Sequence, residues 1–549
     1  MPISFTLCGD EVQVRYSGSY FYEYKAVVKS FDFPRFNVKA KAWVFPINHF
    51  KRMIPILSTL PETPTISDEL RQRMVEDKVA AESAKELRQA MDSTFAPEGF
   101  RGTLLPFQAI GANFFVEGKR AVLCDDVGLG KTAQAIAGIC HLFDTETIEN
   151  ALIICPGHLK RQWASEIEKF SYYESMIIEG ARDQREWKFK NGKNIFITNY
   201  ELLSRDPEYL AQEWGVIILD EAQEIKNYRT QAAKLCRQLI SRYKWAMTAT
   251  PLENNLPELH SIFEFVYPGV LGQWHEFERR FVDRNVFGGI RGYRNLDQLR
   301  EMVKPYFLRR KVDDCLSDFT EKDSKIVTLD FLPEEAVIYK DVDKQVVQTL
   351  SEERMQRLNH SMRMTQVGYL RQACDHTTLV SPEFNYPSVK LNWLKEVVAD
   401  VKERGEQLVI FSEWKRMVKL ISKELGGCPM LHGDMGFAER HATIARWKTQ
   451  DQPLIATDCA NVGLNLQHAN WLINYEMHWN PAVMKQRIGR VHRLTQDKIV
   501  RVRAPMIRDS IEVNVLESLT GKTNLFKDVI DALASKAKKV SRNDRGSVK

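Results

Sequence analysis

The sequence predicts an α/β protein in which two parallel-sheet lobes follow a small N-terminal module that contains β-strands. Short apolar runs alternate with helical patterns from about residue 104, and the alternation resumes after a helical stretch at 331–380. Apolar runs bounded by helices are typical of buried parallel strands. A glycine loop, Asp125–Thr132, stands between the first such run and the next helical pattern. These observations define the predicted architecture.

Composition indicates an ordinary globular protein. The chain has 549 residues, 44% hydrophobic and 27% charged, which suggests about two to four domains. No apolar run approaches the ~18 residues of a membrane span, and no basic segment precedes an apolar one at the N-terminus, so we expect neither membrane association nor secretion. Nine scattered cysteines without a C-x-x-C pair argue against a disulfide framework and a zinc site.

The N-terminal part has its own pattern. Residues 1–66 predict the small β-containing module, because short strand candidates at 13–16, 26–28 and 43–45 are separated by prolines and glycines. Residues 67–95 are charged and favour helix, so they predict a connecting helix that begins at Ser67.

The two lobes are separated by a helical segment. We assign 96–330 to the first lobe, 331–390 to the helical segment, 391–510 to the second lobe, and 511–549 to a C-terminal helix with a basic tail. The tail is compatible with phosphate attraction, although a solvated, frayed end is the alternative. The strand candidates are 121–124, 151–155, 195–198, 215–219 and 244–248, then 407–411, 453–457, 471–474 and 498–503.

The glycine loop predicts a nucleotide site. A strand, a glycine loop and a helix start aim backbone N–H groups at one point, which suits a bound phosphate. Lys131 would reach the β- and γ-phosphates, and the Thr132 hydroxyl would bind Mg²⁺. The strict P-loop pattern has glycine where Asp125 stands, so an ordinary glycine turn is the alternative. The predicted cofactor-binding residues of the loop are Asp126, Gly128, Leu129, Gly130, Lys131 and Thr132.

An acidic pair follows a second apolar strand. Val216–Leu219 leads directly into Asp220 and Glu221, which places both acids at the carboxyl edge of a sheet. Asp220 would hold Mg²⁺, and Glu221 would polarise the attacking water. A helix start with an acidic first turn is the alternative for the pair taken alone. Its position about ninety residues after the glycine loop favours the nucleotide site.

Further motifs follow in a fixed order. With them the chain resembles the Snf2 group of superfamily 2 helicase-like ATPases, which are DNA translocases. The resemblance covers about 104–530. The motifs are Leu105–Gln108, Ile154–Pro156, Gln162–Trp163, Thr198–Tyr200, Thr248–Pro251, Pro305–Arg310, Leu370–Cys374, Val409–Ser412, Leu431–Asp434, Ala456–Asp458, Gly463–Leu466, Trp479–Pro481 and Gln486–Arg493.

The resemblance implies two RecA-like lobes that share one ATP. Gln108 would contact adenine, and Gln486 would orient the nucleotide. Arg490 and Arg493, three residues apart and so on one helix face, would be the arginine fingers. A solvated basic face is their alternative, and the role of Arg487 is left open.

The resemblance also implies contacts to DNA phosphates. They would come from His158, Thr198, Asn199, His432, Thr457 and Asn461. Such contacts read the backbone rather than the bases, so little sequence specificity is expected. For any one Thr or Asn, a turn or capping role is the alternative.

Three features depart from the group or extend it. Gln223 stands where most Snf2-type chains have His, and the segments between the lobes are short, which implies a compact motor and argues against nucleosome remodelling. The stretch Arg35–Met53 resembles the HARP motif of annealing helicases, in which Trp43 would contact DNA. A β module with Trp43 and Phe45 in its own core is the alternative.

The combined hypothesis is a DNA-stimulated ATPase that uses ATP and Mg²⁺ to translocate on double-stranded DNA and to remodel or reanneal forked DNA. The first alternative is a motor that strips proteins or RNA polymerase from DNA, and the second is a non-catalytic DNA-binding scaffold. The expected partner is duplex or forked DNA, bound by a monomer without sequence specificity. The expected location is cytoplasmic and nucleoid-associated for a bacterial or phage-encoded protein, or nuclear if the source is eukaryotic.

Overall fold

The computed structural model describes residues 3–8, 11–16, 35–37, 42–46, 65–75, 95–192, 194–249, 256–285, 289–315, 322–351, 360–461, 464, 466–493 and 496–519. It contains two compact units, one within Met1–Asp318 and one within Phe319–Leu525. None of the described helices combines the length and the apolar run that crossing a bilayer requires.

The N-terminal module is a five-stranded sheet in the order β3-β4-β2-β1-β5. The buried apolar residues of this sheet include Phe5, Val12, Val14 and Val44, each at most 2% exposed. This confirms the small β module. The strands are β1 Ile3–Cys8, β2 Glu11–Tyr16, β3 Arg35–Asn37, β4 Ala42–Pro46 and β5 Thr65–Ile66.

The predicted connecting helix begins where expected. Residues 68–75 are helical, and the Ser67 hydroxyl accepts a hydrogen bond from the backbone N–H of Leu70 at 3.3 Å. The remainder of that helix, the strand candidate 26–28 and the basic tail lie outside the described residues.

The first unit contains a seven-stranded, all-parallel sheet in the order β14-β6-β11-β10-β7-β9-β8. Its central strands are buried along their length because helices cover both faces. The strands are β6 Arg120–Leu123, β7 Ala151–Cys155, β8 Ser175–Ile177, β9 Ile195–Asn199, β10 Glu213–Asp220, β11 Ile240–Met247 and β14 Phe307–Leu308.

The helices of the first unit fill the connections between these strands, and an antiparallel hairpin, β12 Val282–Arg284 with β13 Ile290–Tyr293, stands apart from the sheet. The helices are Pro106–Gly118, Lys131–Asp144, Lys160–Phe170, Arg182–Asn191, Pro207–Leu210, Gln231–Gln238, Pro257–Val266, Trp274–Phe281, Leu296–Val303 and Val312–Cys315.

The second unit contains a six-stranded parallel sheet in the order β15-β20-β19-β16-β18-β17. The two sheets confirm the predicted pair of parallel-sheet lobes. The strands are β15 Lys322–Leu329, β16 Leu408–Phe411, β17 Met430–Leu431, β18 Leu454–Ala456, β19 Trp471–Asn474 and β20 Val500–Ile507. The helices are Pro333–Ser351, His360–Asp375, Thr377–Val380, Val389–Glu403, Lys415–Glu424, Phe437–Trp447 and Pro481–Val491, and 511–519 is also helical.

One boundary differs from the sequence analysis. Residues up to 330 were assigned to the first lobe, yet β15 pairs along its whole length with β20 in the second sheet. The strand alternates between partly buried and exposed residues because it lies at the sheet edge, so it lacks the apolar run that marks central strands.

A buried ion cluster joins three helices of the second unit. The Lys390 ammonium, fully buried, lies 3.0 Å from an Asp375 carboxylate oxygen and 2.6 Å from one of Glu512. Glu512 belongs to the helical stretch 511–519, so this cluster attaches that stretch to the unit.

Candidate functional site

Three neighbouring strands bring the predicted catalytic residues to one sheet edge. β6 leads into the glycine loop, β10 ends at Asp220, and β11, which ends before Thr248, pairs with both. Parallel strands present their carboxyl ends at the same edge. The structure therefore gathers the glycine loop, the acidic pair and Thr248 within the first unit.

The glycine loop has the backbone that its sequence requires. Gly128 and Gly130 have φ of 96° and 75°, a region that glycine enters without a Cβ penalty. Gly130 is the N-cap of Lys131–Asp144, so the helix N-terminus faces the loop. The Lys131 ammonium donates to the carbonyls of Asp125 and Asp126 at 2.7 and 3.3 Å. It would exchange these acceptors for phosphate oxygens.

Gln108 is packed against the loop. Its Oε1 accepts from the N–H of Leu105 at 3.0 Å, and its Nε2 donates to the carbonyl of Leu129 at 3.3 Å. A Cβ on Gly130 would lie 2.5 Å from the Gln108 Nε2, so a larger residue at this position would displace the amide. Leu129 itself is buried and takes part through its backbone. The amide of Gln108 thus supports the loop in this structure.

Asp125, the departure from the strict loop pattern, belongs to a buried polar cluster. Its carboxylate accepts from Arg310 Nε at 3.0 Å and Nη2 at 2.5 Å, and from Gln134 Nε2 at 3.2 Å. All three side chains are at most 1% exposed. A buried charge is tolerated only when it is paired and hydrogen-bonded, and this bidentate pair meets that condition.

Asp126 is engaged in the same way by the next arginine. One of its carboxylate oxygens accepts from Arg309 Nη2 at 2.7 Å and the other from the N–H of Val312 at 3.2 Å. In this structure the carboxylate anchors the loop to the segment after β14, and the nucleotide contact of Asp126 stays a prediction. Sequence reasoning placed Arg309 and Arg310 in a family motif without a role, because their partners lie about 185 residues away.

Asp220 is held by two donors. Its Oδ2 accepts from the indole N–H of Trp163 at 2.8 Å, and its Oδ1 accepts from the N–H of Glu221 at 2.9 Å. Burial, and then the negative charge of Glu221, raise the pKa of Asp220 to about 7, and the charge of Lys131 opposes this rise. A bound cation would favour the ionised form further. The sequence analysis gave Trp163 no role, because it lies on the helix Lys160–Phe170 and its partner Asp220 lies at the end of β10.

Glu221 and Thr248 are linked through Gln223. The amide Nε2 of Gln223 donates to Glu221 Oε2 at 2.8 Å, and the Thr248 hydroxyl donates to Gln223 Oε1 at 2.7 Å. Glu221 has φ of 49°, an uncommon conformation for a residue other than glycine and one often found at functional sites. Gln223, the residue that stands in place of His, therefore links the acidic pair to Thr248 after β11.

The oxygen donors fit Mg²⁺. Thr132 supplies a partly exposed hydroxyl and Asp220 a carboxylate, both hard oxygen ligands. Mg²⁺ is commonly bound by one or two protein oxygen groups, which these two residues could supply, together with substrate phosphates.

In the second unit, the arginines predicted to complete the site lie at the end of one helix. Arg490 belongs to Pro481–Val491 and is 9% exposed, whereas Arg493 follows the helix and donates to the carbonyls of Gly489 and Leu464, both at 3.1 Å. Gln486 is partly exposed on the same helix. Their roles as arginine fingers and nucleotide contact stay predictions.

Arg487, left without a role by the sequence analysis, is a structural residue of the second unit. It is fully buried, and it donates to Asp458 at 2.7 Å and to Asn474 at 3.2 Å. It thus joins its helix to the loop after β18 and to the end of β19.

The predicted DNA contacts of the first unit differ in accessibility. His158 is exposed in the short 3₁₀ turn Gly157–Leu159, just before the helix Lys160–Phe170. Asn199 is partly exposed and donates to Glu201. Thr198 is 1% exposed near the end of β9, so its side chain is buried in this structure, and its contact with a phosphate stays a prediction.

The remaining predicted contacts lie in the second unit and the N-terminal module. His432 is partly exposed, and burial, then the charges of Lys415 and Lys419, lower its pKa. Thr457 is 9% exposed, and Asn461 ends the short helix Asp458–Asn461. Trp43 is half-buried on β4.

Two family models match the chain in sequence. One, described as SNF2-related domain, matches residues 107–379, and the other, Helicase conserved C-terminal domain, matches 389–495.

Individual relatives agree with these models. The chain is 30% identical over 465 residues to a putative ATP-dependent helicase/translocase, YwqA, of Bacillus subtilis, covering 79% of this chain and 49% of that protein. It is 25% identical to the uncharacterized ATP-dependent helicase YqhH of the same organism, covering 80% and 82%. The chain spans about half or less of YwqA and of two longer eukaryotic relatives.

A solved structure, the Sulfolobus solfataricus SWI2/SNF2 ATPase core in complex with dsDNA, is 27% identical with a TM-score of 0.41. The match covers 80% of this chain and 95% of that one.

Proposed function

The chain belongs to the Snf2 family of superfamily 2 helicase-like ATPases, and we propose that it hydrolyses ATP to translocate along double-stranded DNA. The observation that carries this proposal is the edge formed by β6, β11 and β10, where a phosphate loop, Thr248 and an acidic pair meet. Relatives named as helicases or translocases support the motor activity.

The residues of the first unit have distinct proposed roles. The loop N–H groups and Lys131 bind the β- and γ-phosphates, while Thr132 and Asp220 are the residues that would hold Mg²⁺. When bound, the cation supplies positive charge that stabilises the phosphoryl group in transfer. Glu221 accepts a hydrogen bond from Gln223 and orients the attacking water.

Gln223 connects hydrolysis to the rest of the unit. Because it contacts both Glu221 and Thr248, a change at the phosphate would alter the position of the segment after β11. The predicted arginine fingers, Arg490 and Arg493, would complete the same reaction from the second unit. Hydrolysis would thus change how the protein contacts DNA.

For the biological use, we propose remodelling or reannealing of forked DNA, with the N-terminal module as an additional DNA contact through Trp43. The half-buried ring leaves part of its surface available for stacking. A Trp43→Ala variant should lose its preference for forks while keeping duplex-stimulated turnover. If the substitution instead only unfolds the module, Trp43 is a core residue.

Relatives named as chromatin-remodelling factors make displacement of DNA-bound proteins the second candidate function.

The test is ATP turnover measured with single-stranded, duplex and forked DNA of unrelated sequence, each over a series of salt concentrations. Duplex and fork should stimulate turnover, and a steep salt dependence of DNA binding would indicate backbone contacts. Fork-regression and annealing assays, run beside a protein-displacement assay, separate the two uses. Background turnover with every form of DNA would overturn the motor and favour a binding scaffold.

A further inference from the structure

A second cavity of the first unit includes no residue of the nucleotide site. It measures about 660 Å³ and is lined mainly by the stretch Lys226–Arg229, with Pro257, Glu258, Trp274 and Arg284. Ligand pockets of proteins commonly have volumes of about 300–1,000 Å³. The cavity is therefore large enough for a nucleotide.

Two aromatic rings form one wall of this cavity. Tyr228 stacks on Trp274 with their centroids 4.3 Å apart and their planes 25° from parallel. Both side chains are half-buried, so part of the stack faces solvent. A partly exposed aromatic stack is the platform on which unpaired bases bind in single-strand binding proteins.

The stack is fixed by its surroundings. The carbonyl of Tyr228 accepts from Arg237 at 3.0 Å, and the N–H of Arg229 donates to the Asn227 side chain at 3.0 Å. Trp274 packs on the edge of the buried His260 ring at 5.5 Å. A platform that is already ordered costs little conformational entropy when a ligand binds.

Two arginines, Arg229 and Arg284, line the cavity, and Arg284 belongs to a segment in which arginine is frequent. Residues 279–294 contain five arginines and a single acid, Asp283. Arg279, Arg284 and Arg291 are exposed on the helix Trp274–Phe281 and on the β12–β13 hairpin. The hairpin is attached beside Pro257, where the Tyr293 hydroxyl accepts from the N–H of Leu256 at 3.4 Å. Guanidinium groups bind phosphates in a planar, bidentate manner.

Acidic groups complete the polar lining. The Glu278 carboxylate pairs with Arg284, and Glu258 is 6% exposed in the cavity wall. Carboxylate oxygens accept hydrogen bonds from the exocyclic amino groups of bases. The cavity thus combines an aromatic surface with charged groups of both signs.

We propose that this cavity binds an unpaired nucleotide of single-stranded nucleic acid, with the base on Tyr228 and the flanking phosphates on Arg229, Arg284 and Arg291. The proposal goes beyond duplex translocation, because it gives the first unit a separate contact for the single-stranded arm of a fork. The lining begins at Lys226, directly after the helical turn Ala222–Ile225 that carries Gln223, so this part of the cavity is adjacent in sequence to the catalytic acids.

The test uses fluorescent single-stranded DNA and RNA oligonucleotides and a blunt duplex, all without ATP. Tyr228→Leu should weaken single-strand binding about tenfold, since one stacked base contributes about that factor, and should leave duplex binding within about twofold. Arg291→Glu, an exposed change that keeps the wall intact, should weaken single-strand binding as well. Arg182→Ala, an exposed arginine of the same unit, is the matched control and should change neither.

A second measurement identifies the position of the base. A fork with 5-iodouridine in its single-stranded arm, irradiated without ATP, should cross-link to peptides that contain Tyr228 or Trp274. Cross-links only to other peptides, or unchanged single-strand affinity in both variants, would overturn the site. A difference in affinity between the DNA and RNA oligonucleotides would show which of the two nucleic acids the cavity prefers. Duplex-stimulated turnover of the unsubstituted protein is measured separately, so failure of the motor and failure of this site are distinguishable.

Discussion

The ammonium group of Lys131 donates to two carbonyls of its own loop, at 2.7 and 3.3 Å. These acceptors place it where phosphate oxygens would bind. Lys131→Ala should lower ATP turnover by a factor of about 10² to 10³, the usual cost of removing one donor to the transferring group. DNA binding, measured without nucleotide, should stay within about twofold. Turnover equal to that of the unsubstituted protein would show that the loop is an ordinary glycine turn.

The indole N–H of Trp163 orients Asp220 from a different element. Hydrogen bonds to charged groups contribute about 1.5–3 kcal/mol, so Trp163→Phe should raise the Mg²⁺ concentration for half-maximal turnover by about tenfold or more. The control is Trp214→Phe, another buried tryptophan of the same unit, whose N–H donates to the carbonyl of Leu210. Equal Mg²⁺ dependence in the two variants would remove Trp163 from the site.

At the scale of elements, the two-residue strand β14 matters more than its length suggests. It pairs with β6 and brings Arg309 and Arg310 against the two aspartates of the glycine loop. A segment about 180 residues downstream thereby supports the nucleotide loop. This explains why an aspartate, rather than glycine, can stand at position 125.

The cost of breaking this contact is measurable. Arg310→Met should lower the free energy of unfolding by about 3–5 kcal/mol, because Asp125 would be left as a buried unpaired charge. The measurement is denaturant unfolding, with the exposed Arg182→Met as control. The double variant Asp125→Asn, Arg310→Met should recover part of the loss. A single variant as stable as the control would show that the pair contributes nothing to folding.

At the scale of the whole molecule, stability should depend on pH through Glu476 of the second unit. Burial, and then the charge of Asp375, raise the pKa of Glu476 to about 8, whereas an unfolded glutamate titrates near 4.3. Between these values the folded state holds a proton that the unfolded chain releases. Stability therefore falls as pH rises through this window, and levels off above about pH 8.

Glu476→Gln should remove that fall. We expect the variant to have a higher thermal unfolding midpoint than the unsubstituted protein at pH 8 and a smaller advantage at pH 6. The Gln side chain keeps the oxygen that accepts from the N–H of Glu413. An advantage that does not change between pH 6 and pH 8 would contradict the raised pKa.

Most of the strands in both sheets follow directly from the sequence. Ala151–Cys155 and Trp471–Asn474 have the predicted bounds, and other predicted strands are shifted by a few residues. The short strands β8, β14 and β17 were missed because two or three residues carry no periodic pattern. β15 was placed with the wrong lobe, since an edge strand lacks a continuous apolar run.

By itself, the sequence determined the family, the two parallel-sheet lobes and the residue types of the nucleotide site, because these depend on local patterns: a glycine loop after an apolar strand and an acidic pair at the end of another. Only the tertiary structure decided the long-range contacts. Trp163 on Asp220, Arg310 on Asp125 and Thr248 on Gln223 join residues from separate parts of the chain. Such contacts arise when the sheet aligns the ends of distant strands, which no local pattern encodes.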